Sequence, residues 1–307
     1  MPVRIAISPA SYDALDAAVV DAGGVLADPE SADGIVWTNP RDPEALRSLL
    51  ELSRARWVQL PFAGIEDFVA AGVIDPQRTW TCTKGVYGPA CAEHALCLML
   101  AAARRLHEHL RAGEWRTPGL GSPERLLRGS TVVVVGTGGI GASLIELLEP
   151  FGVRVIAVNR SGSAVQGAER TVPAVQIEEV LGEGDFVVLA LALTSETERM
   201  FDEARLARLR PDAWLVNVAR GGLIDTDALV GALRARTIGG AALDVTDPEP
   251  LPSDHPLWGL DNVIITPHIA NTWDMALPEL TAMVQRNVGH FIRDEPLEGL
   301  VEPALGY

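Results

Sequence analysis

Short apolar runs alternate along the chain with stretches whose apolar residues recur at helical spacing. That rhythm predicts alternating strands and helices, hence an α/β protein built on parallel sheets. Val3–Ile7 reads as a first strand, followed by a helical pattern through Val19 and Val20. Gly34–Thr38 and Trp57–Leu60 read as further strands, separated by a helix over Pro43–Leu52 with proline in its first turn. Val73, Ile74 and Trp80–Thr83 suggest further short strands. From Ala90 to about Arg111 the pattern predicts one long helix, rich in Ala and Leu, that would suit a connector between domains. Gly113–Gly129 holds Gly, Pro and Trp with little periodicity and reads as an arm or loop.

A second series begins with T-V-V-V-V at 131–135, apolar on both faces as a central parallel strand between helices would be. Val153–Val158, Phe186–Leu191, Trp214–Asn217, Gly240–Leu243 and Val263–Thr266 continue the set of strands. Helices are expected over Ala142–Leu148, Ile177–Leu181, Asp202–Leu209 and Thr226–Arg234. Met275–Arg293 is a last amphipathic helix, through Leu280, Met283, Val284, Val288 and Ile292, that returns to the first domain. The expected organisation is two Rossmann-like domains: a discontinuous substrate domain over 1–98 plus 274–307, and a dinucleotide-binding domain over 99–273.

Directly after the 131–135 strand, Gly136, Gly138 and Gly141 give G-x-G-x-x-G. Gly136 permits a tight turn, Gly138 lets a pyrophosphate approach the backbone, and Gly141 lets the helix pack close to the strand. The first helical turn, with Gly139 and Ile140, then aims free N–H groups at the phosphates. A glycine loop alone can be a plain turn; a strand before it and a helix after it favour the dinucleotide reading. At the end of the next strand such folds place a carboxylate against the adenine-side ribose, but here the residues are Asn159-Arg160-Ser161. Neutral Asn159 does not repel a 2′-phosphate, while Arg160 offers a planar fork of donors and Ser161 a hydroxyl. NADP is therefore favoured over NAD, against the alternative that Arg160 is an ordinary loop arginine in solvent. Thr194 and Thr197, after a later buried strand, suit either a cofactor phosphate or a cap on the next helix.

Candidate chemistry stands at the carboxyl ends of three consecutive strands, which in an open α/β sheet face the ligand crevice. Arg220 follows L-V-N-V-A, Glu249 follows A-L-D-V-T-D-P, and His268 follows V-I-I-T-P. An arginine can grip a carboxylate or polarise a carbonyl, and a histidine can give or take a proton near neutrality. A glutamate on the far ring nitrogen would orient that histidine and favour its charged form. Taken singly, each has a plain reading as a surface or turn residue.

Composition narrows the partners. With 307 residues, 48% of them hydrophobic, the chain can bury two cores, and its formal charge of −16 argues against nucleic acid or an anionic membrane as partner. No secretory leader and no uncharged apolar run of spanning length is visible, so a cytoplasmic protein is expected. Its three cysteines, Cys82, Cys91 and Cys97, suggest neither a disulfide framework nor a metal site, and Cys91 and Cys97 read as small core residues.

N-V-A-R-G-G at 217–222, A-L-D-V-T-D-P-E-P-L at 242–251 and T-P-H-I-A at 266–270 resemble the signatures of the D-isomer-specific 2-hydroxyacid dehydrogenases. V-G-T-G-G-I-G and A-E-H-A-L at 92–96 match as well, and the resemblance runs from about Trp57 to Phe291. It implies that Arg220, Glu249 and His268 form the catalytic set, that backbone N–H groups near Ala63 and Gly64 hold the substrate carboxylate, and that Asp244 contacts the nicotinamide end. Ala219, in the same motif as Arg220, goes with the cofactor-binding residues, as does His268. It also implies an active site in the interdomain cleft and a homodimer formed through the cofactor domain. Asn159-Arg160-Ser161 resembles the NADPH-using glyoxylate and hydroxypyruvate reductases of the family, so the expected reaction is hydride transfer between NADP(H) and a small 2-keto or 2-hydroxy acid. An NAD-linked enzyme of phosphoglycerate or a bulkier acid is the alternative within the class, and a dinucleotide-dependent corepressor-like binding protein is the alternative outside it. With the chain ending at Tyr307, no regulatory C-terminal domain is expected. Glu93 and His94 read as structural, and Phe62 and Trp273 as pocket or core aromatics.

Overall fold

The computed structural model describes residues 2–115, 117, 119 and 122–302. The chain forms two units, Met1–Tyr87 with Thr272–Tyr307, and Gly88–Asn271. In the first, β1 (Arg4–Ser8), β2 (Val25–Leu26), β3 (Gly34–Trp37), β4 (Trp57–Gln59) and β5 (Thr79–Thr81) make a parallel sheet of order β2-β1-β3-β4-β5. Strands β3 and β4 are buried at every position because both faces are covered. One face packs Trp37 and Val58 with Leu46 of α2 (Pro43–Leu52) and Phe68 of α3 (Glu66–Ala70). The other packs Trp57 with Leu15 and Val19 of α1 (Asp13–Asp21) and with Leu280, Val284 and Val288 of the last helix. That apolar stripe is what brings the C-terminal segment back to the N-terminal sheet. Buried Asn287 seals the junction, donating to Gln59 Oε1 at 3.0 Å and accepting from the Glu298 N–H at 2.8 Å.

The second unit holds β6 (Thr131–Val135), β7 (Arg154–Asn159), β8 (Arg170–Pro173), β9 (Phe186–Leu189), β10 (Trp214–Asn217), β11 (Gly240–Leu243) and β12 (Val263–Ile265). Their order, β12-β11-β10-β9-β6-β7-β8, is that of a doubly wound dinucleotide fold with one strand added, and it reverses direction between β6 and β9. Helix α4 (Gly88–Ala103) packs on α6 (Gly139–Leu148), β10 and β11. Small residues allow that closeness: a Cβ on Gly88 would lie 2.5 Å from the Gly139 carbonyl oxygen. Among the described residues no helix is long and apolar enough to cross a membrane.

Several elements differ from the expectation. Val73 and Ile74 form no strand: Gly72, at φ +65°, ends α3, and the Val73 N–H turns back to the Phe68 carbonyl at 3.0 Å. The long helix breaks at Arg105, whose φ of +50° separates α4 from α5 (Leu106–Arg111). Because α4 belongs with the second sheet along its whole length, the unit boundary falls at Tyr87/Gly88 and not at 98/99, with the return at Thr272. Ile177–Leu181 is a pair of 3-10 turns, Ala174–Glu179 and Leu181–Glu183, and only Glu203–Leu206 of the next stretch is α-helix, labelled α7. Helices α8 (Thr226–Ala235) and α9 (Trp273–Ile292) occur where the periodicity places them. Strands β2 and β8 are additions to the expected set, and Cys97 is exposed rather than in the core. Of the expected arm, Arg116, Pro118, Leu120 and Gly121 lie outside the described residues. Its end is pinned by Arg125, which donates to the Asp185 and Asp212 carbonyls and lies over the Phe186 ring.

Candidate active site

The glycine loop leaves β6 at the reversal of strand order. Gly136 takes φ +94°, and a Cβ there would overlap the Ala190 carbonyl just past β9. A Cβ on Gly141 would overlap the Gly136 carbonyl, so the start of α6 can rest on the loop only with glycine at that position. Gly138 is different, because a Cβ built on it meets nothing within 4 Å. Packing therefore requires two of the glycines and leaves the third beside open space, where a pyrophosphate would approach. The first-turn N–H groups of Gly139, Ile140 and Gly141 precede any intrahelical acceptor, and no acidic side chain occupies that turn. The loop fits a dinucleotide phosphate.

At the end of β7, Asn159 shapes the following turn. Its Oδ1 accepts from the Gly162 N–H at 2.7 Å and its Nδ2 donates to the Ser163 carbonyl at 2.9 Å. Ser161 Oγ is 2.7 Å from Ser163 Oγ, and Arg160 is exposed beside this turn. Near β9, Thr197 Oγ1 donates to the Ala192 carbonyl and accepts from the Thr194 N–H, both at 2.8 Å, while Thr194 Oγ1 accepts from the Glu196 N–H. These hydroxyls brace their own turn and cap no helix, since the next helix, α7, is capped by the Asp202 side chain.

The catalytic candidates come together at the ends of β10, β11 and β12. Fully buried Asn217 pins the first turn, accepting from the Ala219 N–H at 3.0 Å and donating to the Arg220 carbonyl at 2.8 Å. A Cβ on Gly221 would overlap the Thr246 carbonyl, so the chain after Arg220 runs against the segment that carries Glu249. His268 Nδ1 sits 2.7 Å from Glu249 Oε1, which leaves Nε2 as the ring nitrogen that can meet a ligand. The imidazole's hydrogen bond holds the Glu249 carboxyl below the usual carboxylate range, against the opposing effect of burial, and the charges of His268 and Arg220 add to it. The side chains of His268 and Glu249 remain 41% and 38% exposed, open to a small molecule.

His268 has φ +53°, a left-handed conformation that costs a non-glycine residue about 1–2 kcal/mol. Its N–H bonds to the Asp244 carbonyl at 2.8 Å and the Thr266 carbonyl at 3.0 Å. The Asp244 side chain, 1% exposed, accepts from Thr266 Oγ1 at 2.6 Å, the Ile269 N–H at 3.0 Å and the Ala270 N–H at 2.9 Å. Burial alone would raise its pKa, but hydrogen bonds from His94, Thr266, Ile269 and Ala270 outweigh that and hold it at about 2. Oδ2 accepts one of these bonds, from Ala270, and has the capacity for another donor. His94, which reads as structural in the sequence, reaches this cluster from α4, whereas Glu93 is exposed. Nothing local in the sequence signals the link, since His94 and Thr266 are 172 residues apart.

Ala63 and Gly64 follow β4 in the first unit. Their loop is anchored by Pro61, whose carbonyl accepts from Tyr87 Oη at 2.7 Å and Thr83 Oγ1 at 3.1 Å. Ala63 is exposed, and Phe62 belongs to an aromatic cluster, 5.7 Å from the Tyr87 ring and 5.9 Å from that of Trp273.

Comparisons with known proteins place the chain in a family and match its fold. The model of the family described as D-isomer specific 2-hydroxyacid dehydrogenase, NAD binding domain, matches residues 96–270. The chain is 40% identical over 299 residues to the uncharacterized protein in the proB 3′ region of Corynebacterium melassecola, covering 94% of this chain and 95% of that one. It is 38% identical over 223 residues to glyoxylate reductase of Pyrococcus furiosus, covering 70% of this chain and 66% of that one. The crystal structure of a D-isomer specific 2-hydroxyacid dehydrogenase from Xanthobacter autotrophicus Py2, in complex with NADPH and MES, is 27% identical and matches all of both chains, with a TM-score of 0.86.

Proposed function

The chain belongs to the D-isomer specific 2-hydroxyacid dehydrogenases, oxidoreductases that use a nicotinamide dinucleotide, and from that premise we propose that it reduces a small 2-keto acid such as glyoxylate or hydroxypyruvate with NADP(H). The observation that carries this reading is the His268–Glu249 pair, 2.7 Å apart, past the ends of β12 and β11, with β11 beside the β10 strand that leads to Arg220. When bound, the nicotinamide supplies the hydride that adds to C2 of the keto acid. Arg220 holds the keto oxygen and the carboxylate through its planar fork, and backbone N–H groups near Ala63 and Gly64 take the other carboxylate oxygen. His268 Nε2 gives the proton to the developing alkoxide while Glu249 steadies the charged ring through Nδ1. Gly136, Gly138, Gly139, Ile140 and Gly141 would hold the pyrophosphate, and Asp244 and Ala219 would hold the nicotinamide end, Asp244 as a hydrogen-bond acceptor.

NADP is preferred because no carboxylate stands where Asn159-Arg160-Ser161 lie, and the Xanthobacter relative was solved with NADPH. Thr194 and Thr197 serve the cofactor side by fixing the loop after β9. The protein acts in the cytoplasm as a homodimer, and exposed Leu106, Leu110 and Trp115 on and after α5 offer apolar surface for that contact. Steady-state oxidation of NADPH and NADH with glyoxylate, hydroxypyruvate and a bulkier keto acid tests the assignment. NADPH preference with a small acid is expected, together with a loss of several orders of magnitude in His268→Ala at nearly unchanged cofactor affinity. Near-normal turnover in His268→Ala would overturn the mechanism, and NADH preference would overturn the role of Arg160.

A further inference from the structure

His94 stands outside the catalytic set, yet its Nε2 lies 3.0 Å from Thr266 Oγ1 and 3.3 Å from Asp244 Oδ1. The hydroxyl of Thr266 has one proton, and the 2.6 Å bond to Asp244 Oδ1 uses it. His94 therefore faces a hydroxyl whose proton is committed and a carboxylate that only accepts. Its Nε2 must be the donor to both, which fixes the proton on that nitrogen whatever the state of Nδ1. The same carboxylate takes the N–H groups of Ile269 and Ala270, and the His268 N–H bonds to the carbonyls of Asp244 and Thr266. Between these anchors His268 is kept in the left-handed region, and that backbone conformation sets where its ring points.

We infer that His94 is a positioning residue for His268: donating from Nε2 into the Thr266–Asp244 pair, it holds the turn over residues 266–270 in the shape that aims the imidazole of His268 at Glu249. The inference rests on the reading of His268 as proton donor. Placement of a catalytic group is sensitive, since an error of about 1 Å can cost roughly 10²-fold in rate.

Four variants test it. His94→Leu keeps bulk and removes the donor, while His94→Gln places an amide nitrogen near the position of the imidazole Nε2. Thr266→Val removes the shared hydroxyl, and Thr266→Ser restores it. Each is measured for kcat with glyoxylate or hydroxypyruvate, for NADPH affinity by fluorescence, and for amide hydrogen exchange at Ile269 and Ala270 without any ligand. In His94→Leu and in Thr266→Val we expect kcat to fall roughly tenfold to a hundredfold, by more than NADPH affinity falls, with exchange at the two amides at least about tenfold faster. His94→Gln and Thr266→Ser should recover both readouts to within about threefold. Unchanged exchange and kcat in folded His94→Leu would overturn the inference, as would a folded His94→Gln that behaves like His94→Leu. Should His94→Leu fail to fold, Thr266→Val decides by the same two readouts. His268→Ala separates the two readings: if it is inactive while His94→Leu is normal, only the positioning role fails, and if it retains turnover the proton-donor reading fails first.

Discussion

Gly138→Ala separates the needs of the fold from those of the ligand. At this residue φ is −71° and ψ −162°, an extended conformation that alanine adopts without strain. A Cβ there meets nothing within 4 Å, so the substitution removes no packing and creates no clash. Stability should hold to within about 1 kcal/mol, because the entropy gained by replacing a flexible residue at a compatible site is offset by alanine being a poorer N-cap for α6. The cofactor sees a methyl group where the backbone should lie against its pyrophosphate. Displacing the phosphate far enough to lose one charged hydrogen bond costs about 1.5–3 kcal/mol, or roughly 10- to 150-fold in Kd. Thermal unfolding of the free protein and fluorescence titration with NADPH measure the two sides. Gly141→Ala is the contrast, because its Cβ overlaps the Gly136 carbonyl and stability should fall with or without cofactor. An unchanged Kd in a folded Gly138→Ala protein would mean that the open space beside the loop is not the phosphate site.

Two further substitutions probe charge. Glu249→Gln keeps a hydrogen-bonding group 2.7 Å from His268 Nδ1 but removes the charge, so keto-acid reduction should slow by roughly 10–10²-fold, and more at high pH than at low; a ratio to wild type that is flat across pH would refute the pairing. His107→Phe concerns stability: burial, edge-on to Trp214, lowers the imidazole's pKa from its ordinary 6.5, Arg105 and Arg111 in the same direction and Glu108 and Asp261 against it. The unfolded chain then binds a proton near 6.5 that the folded chain resists, so this stability is complete above 6.5 and declines as pH falls from there toward the lowered value. Thermal unfolding at about pH 7.5 and 5.5 should show the variant gaining on wild type at the acid end, and an identical difference at both would refute the argument.

The parts legible in the sequence are those whose cause is local. A strand buried on both faces must be apolar at each position, as Val132–Val135 are, and a loop that grazes two carbonyls must be glycine where it does so. Apolar spacing likewise marks α9, because one face of it packs on α1 and the sheet. Val73 misleads for the same reason: it is buried by the core yet spends its N–H on closing a helix, and apolarity does not distinguish the two situations. The break at Arg105 carries no glycine or proline to announce it. Strand β8, with one buried residue at the sheet edge, has no pattern to read. Arg220, Glu249 and His268 are visible only through their motifs, and the tie from His94 to Thr266 joins segments that meet through tertiary packing alone.

That tie explains how a site open to solvent can rest on a strained turn. His268 and Glu249 keep side chains 41% and 38% exposed, so burial does not lock them. Asp244 does the locking from underneath, where 1% exposure makes each bond to its carboxylate count. With its pKa at about 2 instead of the usual 3.8, the charged form stabilises the fold by about 2 kcal/mol at ~1.36 kcal/mol per pH unit. That contribution is complete above 3.8 and lost only as pH falls through about 2, because the folded state resists the proton that the unfolded chain accepts. The energy is comparable to the cost of left-handed His268, so the support and the strain it carries are of one size. Throughout the range in which an imidazole exchanges its proton, the clamp remains charged and the turn stays in place. A loss of activity between about pH 5 and 8 is therefore not caused by protonation of Asp244.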